Sequence, residues 1–275
     1  MKHYYFIDLR RNLKLKKLHL IYNYLIYRIK SVNEHGVHSP FVFDLLLSTI
    51  YNKKDFYAYK NIESLRQQLM QSDQMLSCID LGAGSSHGNK NSRSVKQLVT
   101  FSAKPPKYAQ LLFRLADHFQ PKEIIELGTS LGLSTAYLAS ANSGIKVISI
   151  EGCAEIAAKA KENFNKLNLK NIEQHTGNFD DVLPKILSQK SKVDFVFFDG
   201  NHRKEPTLNY FKECLDKADE NSVFVFDDIY WSSEMKEAWT EIKMNERVTV
   251  TLDLFSFGIV FFRKEQVKQH FIIRY

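Results

Sequence analysis

Cysteine is scarce in this sequence. Cys78, Cys153 and Cys214 are the only cysteines among 275 residues, and they lie far apart. Three scattered cysteines form neither a disulfide framework nor the ligand set of a zinc site. We therefore expect a protein of a reducing compartment and predict a cytoplasmic location.

Long apolar runs are also missing. No stretch of 18 apolar residues occurs, so we expect no transmembrane helix. Residues 1–17 contain no apolar centre of the kind found in signal peptides. The net charge of +7 is not gathered into long runs, which predicts weak attraction to acidic surfaces and does not by itself indicate a nucleic-acid binder.

Apolar residues make up 44% of the chain, which is enough for a sizeable core. Near the start, Leu18, Ile21, Tyr22, Leu25, Ile26 and Ile29 recur at helical spacing. This pattern predicts a helix packed on the main domain, with a membrane-surface or RNA-facing helix as the alternative. Further helices are predicted at 41–50, after the Ser39-Pro40 start signal, and at 55–76.

A glycine-rich segment at 79–88, IDLGAGSSHG, resembles a nucleotide-binding loop. Such a pattern needs a core strand before it and a helix directly after it. The residues on both sides are polar, so we interpret 77–92 as a long loop. It is either a lid over the site or a plain surface connection.

From Pro105 onward, strand and helix patterns alternate. This alternation predicts an α/β, doubly wound, Rossmann-like sheet of seven strands, mostly parallel, with the last strand antiparallel. The predicted strands are 122–128, 145–151, 172–176, 193–199, 221–227, 247–252 and 257–263. The predicted helices between them are 133–142, 153–167, 180–189, 204–217 and 232–243. We place the domain boundary near residue 100, which leaves 1–100 as an N-terminal helical extension with the lid loop and 101–275 as the main domain.

The stretch 124–135 is central to this prediction, because it has the pattern of a buried strand, a glycine turn and a helix start. Gly128 and Gly132 bracket the turn. Glycine allows unusual φ angles there and close approach of a ligand to the backbone. The free N–H groups of a helix start attract anionic or polar groups of a ligand.

Polar side chains follow each of the first five predicted strands of this sheet. In an open parallel sheet, ligands bind at the carboxyl ends of the strands, where the strand order reverses. Several polar groups delivered to one edge therefore predict a ligand site. The side chains at these ends are Glu126, Glu151, Asn178, Asp199, Asp227 and Asp228.

Residues 105–263 resemble a class I S-adenosylmethionine-dependent methyltransferase. They are most similar to the metal-dependent O-methyltransferases of the catechol and caffeoyl-CoA type. The resembling residues are ELGTSLGLST at 126–135, Glu151, GNFD at 177–180, DGNH at 199–202 and FDD at 226–228. The first hundred residues carry no motif that matches this family.

The resemblance implies an S-adenosylmethionine site along the strand ends. Glu126 and the glycine turn would face the methionine part, and Glu151 would accept from both ribose hydroxyls. Asn178 and Phe179 would meet the adenine, although a helix-capping turn is the alternative for Asn178. The implied cofactor residues are Glu126, Gly128, Thr129, Ser130, Gly132, Ser134, Glu151, Gly152, Asn178, Phe179 and Asp199.

The resemblance also implies a site for Mg²⁺ or another divalent cation at Asp199, Asp227 and Asp228. Asp228 departs from the family, which usually has asparagine there, and the alternative is that Asp227 and Asp228 cap the next helix. His202, with Asp199, is the candidate for catalysis as a general base, or else a histidine that orders its loop.

Trp231, Met235 and Trp239 recur at roughly helical spacing just after the paired acids. A stripe of this kind either faces the core or forms an aromatic wall beside the substrate. We expect the core-facing arrangement.

The sequence thus predicts a methyltransferase that methylates a hydroxyl of a small molecule. The alternatives are an RNA ribose methyltransferase and a non-catalytic protein that retains the fold. The expected partner is a small-molecule substrate, with no membrane span; nucleic acid is possible but not favoured, and a homodimer is possible. The glycine spacing after Glu126 argues against a nicotinamide oxidoreductase.

Overall fold

The structure is a computed structural model that describes residues 18–77 and 92–275. Residues 1–17, Cys78 and the glycine-rich segment at 79–88 lie outside the described residues. The loop interpretation of 77–92 therefore stays a prediction, apart from its two ends, which belong to short paired strands.

The described chain begins with three helices, and strands and helices alternate strictly from residue 123 to residue 244. The helices are α1 (18–30), α2 (Pro40–Leu45), α3 (Tyr57–Met70), α4 (Val95–Phe101), α5 (Pro106–Phe119), α6 (Leu133–Ser140), α7 (Ala154–Lys166), α8 (Phe179–Ser188), α9 (Lys204–Leu215) and α10 (Ser233–Met244). The strands are β1 (Met75–Ser77), β2 (Ser92–Ser94), β3 (Glu123–Leu127), β4 (Lys146–Glu151), β5 (Ile172–Thr176), β6 (Val193–Phe198), β7 (Ala218–Asp227), β8 (Val250–Asp253), β9 (Phe257–Phe261) and β10 (Gln269–Ile272).

One large sheet has the order β10-β8-β9-β7-β6-β3-β4-β5. All neighbours are parallel except β9, which runs antiparallel to both β7 and β8. The predicted doubly wound fold is confirmed. The predicted number of seven strands is wrong by one, because β10 adds an eighth strand beside β8. Its residues, QHFI, show too weak an apolar alternation to be recognised as a strand.

The strand order reverses at β3, which pairs with β4 on one side and with β6 on the other. Chain connections leave in opposite directions from this point, so a crevice opens at the carboxyl ends of β3 and β6. The sheet thus places the glycine turn after β3 directly beside the acid that follows β6.

Helices cover both faces of the sheet and form two buried clusters. Neighbouring residues of β3 divide between them, since Ile124 lies in one cluster and Ile125 in the other. This alternation is what a central strand buried on both faces requires. The first cluster also includes Val42 and Leu65, so the N-terminal helices share a core with the sheet.

Helix α1 packs on the main domain, but through a different face from the predicted one. Tyr27 is 2% exposed, and its hydroxyl donates to the carbonyl of Ile273. The predicted apolar stripe points away from the protein, with Leu25 55% and Ile29 83% exposed. The predicted packing face is therefore wrong. A tyrosine can bury its ring while its hydroxyl finds an acceptor, which favours the tyrosine face here.

The N-terminal helices begin near the predicted positions. Ser39 caps α2 by accepting from the Val42 amide at 3.4 Å, and Pro40 takes the first helical position, as predicted. A wider π-helical turn, Leu46–Ile50, completes the predicted helix. The predicted helix at 55–76 is shorter, Tyr57–Met70, because β1 pairs with β2 instead.

None of the described helices is long and apolar enough to cross a membrane.

Candidate functional site

The turn between β3 and α6 is held in a left-handed backbone conformation. The φ angles are 109° at Gly128, 47° at Ser130 and 79° at Gly132. A Cβ on Gly128 would lie 2.2 Å from the carbonyl oxygen of Asp199, and one on Gly132 would lie 2.4 Å from the ring of Phe164. These glycines are thus needed for close packing against neighbouring elements, a reason that the sequence did not reveal.

Glu126 lies beneath this turn and is completely buried. One carboxylate oxygen, Oε2, accepts from the hydroxyls of Thr135 and Ser149, the latter at 2.6 Å. The other oxygen, Oε1, has no hydrogen-bond partner among the described residues. Burial raises the pKa of Glu126 to about 7, against the hydrogen bonds that lower it. This acid lacks a donor on the side of Oε1.

Glu151, at the end of β4, reaches the same turn. Its Oε2 accepts from the Ser130 amide at 2.8 Å, and its Oε1 accepts from the Cys153 amide at 3.0 Å. The carboxylate is therefore within hydrogen-bond distance of the glycine bend, as the predicted cofactor site requires. Thr129 joins the two strands through a 2.5 Å hydrogen bond between its hydroxyl and that of Ser149.

At the end of β5, Asn178 is the N-cap of α8. Its Oδ1 accepts from the Asp180 amide at 3.4 Å, so the capping alternative is confirmed. The ring of Phe179 lies against Gly200, where a Cβ would come within 2.3 Å of the ring. Phe179 therefore joins the end of β5 to the end of β6.

The acids at the ends of β6 and β7 surround a lysine. The Nζ atom of Lys104 is 3.0 Å from Asp199 Oδ1 and 3.9 Å from Asp228 Oδ2, and it also forms an ion pair with Asp227 Oδ2. The three predicted acids do come together. The cation at their centre was not predicted, because Lys104 is distant in sequence and belongs to no motif.

Burial and charge act against each other at this cluster. Burial raises the pKa of Asp199 to about 7, although the Lys104 ammonium lowers it. Burial lowers the pKa of Lys104, but Asp199 and Asp228 more than compensate, so it stands above its usual value. The lysine is therefore held as an ammonium.

His202 borders the cluster, with Nε2 3.7 Å from Asp199 Oδ1 and the side chain 22% exposed. Burial lowers its pKa, and the Lys104 charge adds to this, although Asp228 opposes it. The imidazole is therefore neutral near pH 7 and can accept a proton at a ring nitrogen.

The backbone at Asp228 is left-handed, with a φ of 54°. Aspartate and asparagine tolerate this conformation better than other non-glycine residues, which suits the occupant of this position. Ser232 caps α10 by accepting from the Met235 amide at 3.1 Å. The alternative that Asp227 and Asp228 cap this helix is therefore wrong.

The donor set resembles a metal site in its chemistry. Asp199, His202 and Asp227 each offer a ligand atom, and these atoms lie within 4.8 Å of one another. However, Lys104 already pairs with both carboxylates. A divalent cation does not fit beside this ammonium, because the two positive charges would repel each other while sharing the same carboxylates.

Of the stripe that follows the paired acids, Met235 and Trp239 face the core, as expected, but the expectation is wrong for Trp231. Met235 and Trp239 are buried, and the Trp239 ring occupies the space above Gly258. Trp231 is separate from them and is 42% exposed.

Known proteins match the central part of the chain. A family of methyltransferase domains matches residues 125–229. The catechol O-methyltransferase of Niastella koreensis is 30% identical over 135 residues, which is 48% of this chain and 58% of that protein. The O-methyltransferase imqG of Aspergillus flavus is 28% identical over 114 residues, 39% of this chain and 45% of that protein. The chain covers less than two thirds of each of these relatives.

Solved structures share the fold over a longer range. The O-methyltransferase TomG of Streptomyces achromogenes, solved in complex with SAM, has a TM-score of 0.55 and 19% identity, over 81% of this chain and 95% of that one. The O-methyltransferase of Bacillus cereus, solved in complex with SAH, has a TM-score of 0.53 and 19% identity, over 76% and 91%. Together with the strand order, these matches show that the chain has the fold of these methyltransferases and that residues 125–229 are similar to a family of methyltransferase domains.

Proposed function

We propose that this protein binds S-adenosylmethionine at the ends of β3, β4 and β5 and methylates a hydroxyl of a small molecule. The observation that carries the proposal is Glu126, a buried acid directly below the glycine turn, one oxygen of which has no donor in the part of the chain that the structure describes. A buried carboxylate in this state is stabilised by an incoming cationic donor. The cofactor's ammonium group provides one.

The remaining cofactor contacts follow from the strand ends. Glu151, with its two oxygens at the turn, would bind the ribose hydroxyls, while Asn178 and Phe179 would border the adenine. Gly128, Thr129, Ser130, Gly132, Ser134, Gly152 and Asp199 complete the proposed cofactor site. When bound, the cofactor supplies a methyl group that is already activated on a sulfonium.

The chain itself then has two tasks. It holds the acceptor hydroxyl in line with the donor and excludes water, and it removes one proton. We assign proton removal to the neutral imidazole of His202, with Asp199 3.7 Å from its Nε2. No step in this proposal passes through a divalent metal.

The rest of the protein's setting belongs to the same proposal. Residues 1–100 would form the helical extension on the acceptor side, where Tyr24 of α1 contacts the ring of Phe255, just after β8, at a centroid distance of 5.0 Å. A small molecule is the proposed acceptor, and the cytoplasm is the proposed location.

Calorimetry with S-adenosylhomocysteine tests cofactor binding. We expect micromolar binding by the wild type, and a loss of about 1.5–3 kcal/mol, on the order of 10- to 150-fold, in Glu151→Ala, because charge-assisted hydrogen bonds are lost. Glu162→Gln is the matched control, since Glu162 is exposed on α7. Absence of binding at high micromolar concentration would contradict the proposal.

A panel of acceptors then tests the reaction. Methylation of small hydroxylated compounds supports the proposal. If the protein methylates RNA, and if its binding to RNA weakens steeply as the salt concentration rises, the acceptor is RNA ribose and not a small molecule. Cofactor binding without turnover over a broad panel would favour a non-catalytic protein.

A further inference from the structure

The cluster of Asp199, Asp227 and Asp228 contains a positively charged side chain, that of Lys104. Asp227 is completely buried, and the Lys104 side chain is only 10% exposed. A buried carboxylate is strongly destabilising unless it is paired and hydrogen-bonded. Lys104 supplies that pairing to Asp227 and to Asp199 at once, so the cluster depends on this one residue.

The backbone holds Lys104 in position for this role. It directly precedes Pro105 and Pro106, and Pro106 occupies the start of α5. A residue before proline is restricted to extended conformations, and the prolines fix φ in the residues that follow. Helix α5 is in turn anchored in the core by buried leucines such as Leu111 and Leu112. The backbone of Lys104 therefore has few alternative conformations, and its ion pairs with Asp199 and Asp227 hold the ammonium at the strand ends.

A divalent cation would need the same carboxylates. Mg²⁺ binds carboxylate oxygens at about 2.0–2.1 Å and demands near-octahedral geometry. The Lys104 ammonium already bonds to Asp199 Oδ1 at 3.0 Å and to Asp227 Oδ2. For a metal to enter, this ammonium would have to leave its buried partners.

We propose that the Lys104 ammonium is the resident cation of Asp199, Asp227 and Asp228, and that the protein binds no divalent metal there while Lys104 is present. An ammonium has three N–H donors. Asp199 and Asp227 use two of them, whereas Asp228, at 3.9 Å, is beyond hydrogen-bond distance. The third N–H is left to donate to the oxygen of the methyl acceptor. This role rests on the proposed methyl transfer.

Titration with Mn²⁺, followed by the electron paramagnetic resonance signal of free Mn²⁺, tests this inference on the full chain without cofactor or acceptor. We expect no binding by the wild type up to about millimolar Mn²⁺. Lys104→Ala should bind one Mn²⁺ per chain at least tenfold more tightly than the wild type. Adding Asp227→Asn to this variant should remove the gain.

Lys107→Ala is the matched control. Lys107 lies three residues along the same segment, but its Nζ is 3.9 Å from the ring centroid of Tyr275 instead of near the acids. We expect this variant to behave as the wild type does. Equal Mn²⁺ affinity in the wild type and Lys104→Ala would overturn the proposal, and so would a folded Lys104→Ala that gains no binding.

Lys104→Gln serves if the alanine variant does not fold. If neither variant folds alone, recovery of the far-ultraviolet circular dichroism signal on adding Mn²⁺ counts as gained binding, and its absence counts against the proposal.

If Lys104 acts in place of a metal during methyl transfer, turnover should be unaffected by EDTA. Failure of methyl transfer itself would be seen as absence of S-adenosylhomocysteine binding, and the Mn²⁺ result would stand independently of it.

Discussion

Two buried acids lie at the same edge of the sheet and are compensated in different ways. Glu126, on β3, and Asp227, at the end of β7, are both completely buried, and each has one oxygen without a hydrogen-bond partner among the described residues. Glu126 is held by the hydroxyls of Thr135 and Ser149, whereas Asp227 is held by the ammonium of Lys104.

The difference shows which buried carboxylate is paired by the chain itself and which one is left for a ligand to pair. Hydroxyl donors satisfy part of a carboxylate but leave its charge, so Glu126 gains further from an external cation. An ammonium offsets the charge of its carboxylate partner, so Asp227 already has a cation from within the chain. The proposed cofactor side is thus built to receive a positive group, and the acceptor side contains one.

The largest expected effect is on the acceptor side. Lys104→Met should lower the free energy of unfolding by about 3–5 kcal/mol at pH 8, because Asp227 is left as a buried charge without a partner. Urea denaturation measures this loss. Asp227→Asn in the same background should recover part of it, and a loss below about 1 kcal/mol would show that Asp227 does not depend on this ammonium.

The next effect is on the cofactor side and depends on pH. Burial raises the pKa of folded Glu126 to about 7, so between about pH 4.5 and 7 the folded state binds more protons than the unfolded state. Stability from this group is therefore present below about pH 4.5 and is lost as the pH rises to 7. Glu126→Gln should gain up to about 3 kcal/mol relative to the wild type over this range.

Urea denaturation of wild type and Glu126→Gln at several pH values measures this difference. Glu246→Gln is the control, since Glu246 is exposed. Its stability should run parallel to that of the wild type. If the stability of Glu126→Gln also runs parallel to that of the wild type over this pH range, then Glu126 has an ordinary pKa and is not destabilised by the lack of a cation.

A smaller effect concerns the hydroxyl that holds Glu126. Thr135→Val should cost about 1–3 kcal/mol at pH 8, because the buried acid loses the Thr135 hydroxyl as a donor. Thr240→Val is the control, since Thr240 is an exposed β-branched residue that bonds within its own helix. Equal changes in the two variants would show that the Thr135 hydroxyl contributes nothing specific to Glu126.

The smallest effect is expected at Asp228. Asp228→Asn should change the free energy of unfolding by less than about 1 kcal/mol, because the side chain is 32% exposed and lies 3.9 Å from the ammonium. Asparagine also tolerates the left-handed backbone there. Thermal unfolding measures the shift, and a loss as large as that of Lys104→Met would place Asp228 among the essential partners of the lysine.

The meeting of Gly128, Glu126 and Glu151 at the proposed cofactor side was largely predictable from the sequence. These residues belong to short segments whose order in a parallel sheet is fixed by right-handed connections, so their meeting at one edge follows from local patterns. The alternation of buried strands and amphipathic helices in this region is strong, which is why the predicted fold is confirmed there.

The acceptor side was only partly predictable. The acids at Asp199 and Asp227 follow strands and were found, but Lys104 lies in an irregular segment, and no pattern pairs one lysine of 38 basic residues with a distant acid. The packing face of α1 was missed because its leucines and isoleucines outnumber the tyrosines that anchor it. A hydrogen bond from one side chain to a distant carbonyl produces no periodic pattern in the sequence, so it could not be predicted.

The anchoring of α1 also sets an order of events during synthesis. The Tyr27 hydroxyl donates to a carbonyl 246 positions later along the chain, at Ile273. At a ribosomal speed of about 5–20 residues per second, those partners are separated by roughly 10–50 seconds. Helix α1 therefore leaves the ribosome long before Ile273, the residue after β10 that holds it, and the first described helix to be made is among the last to dock.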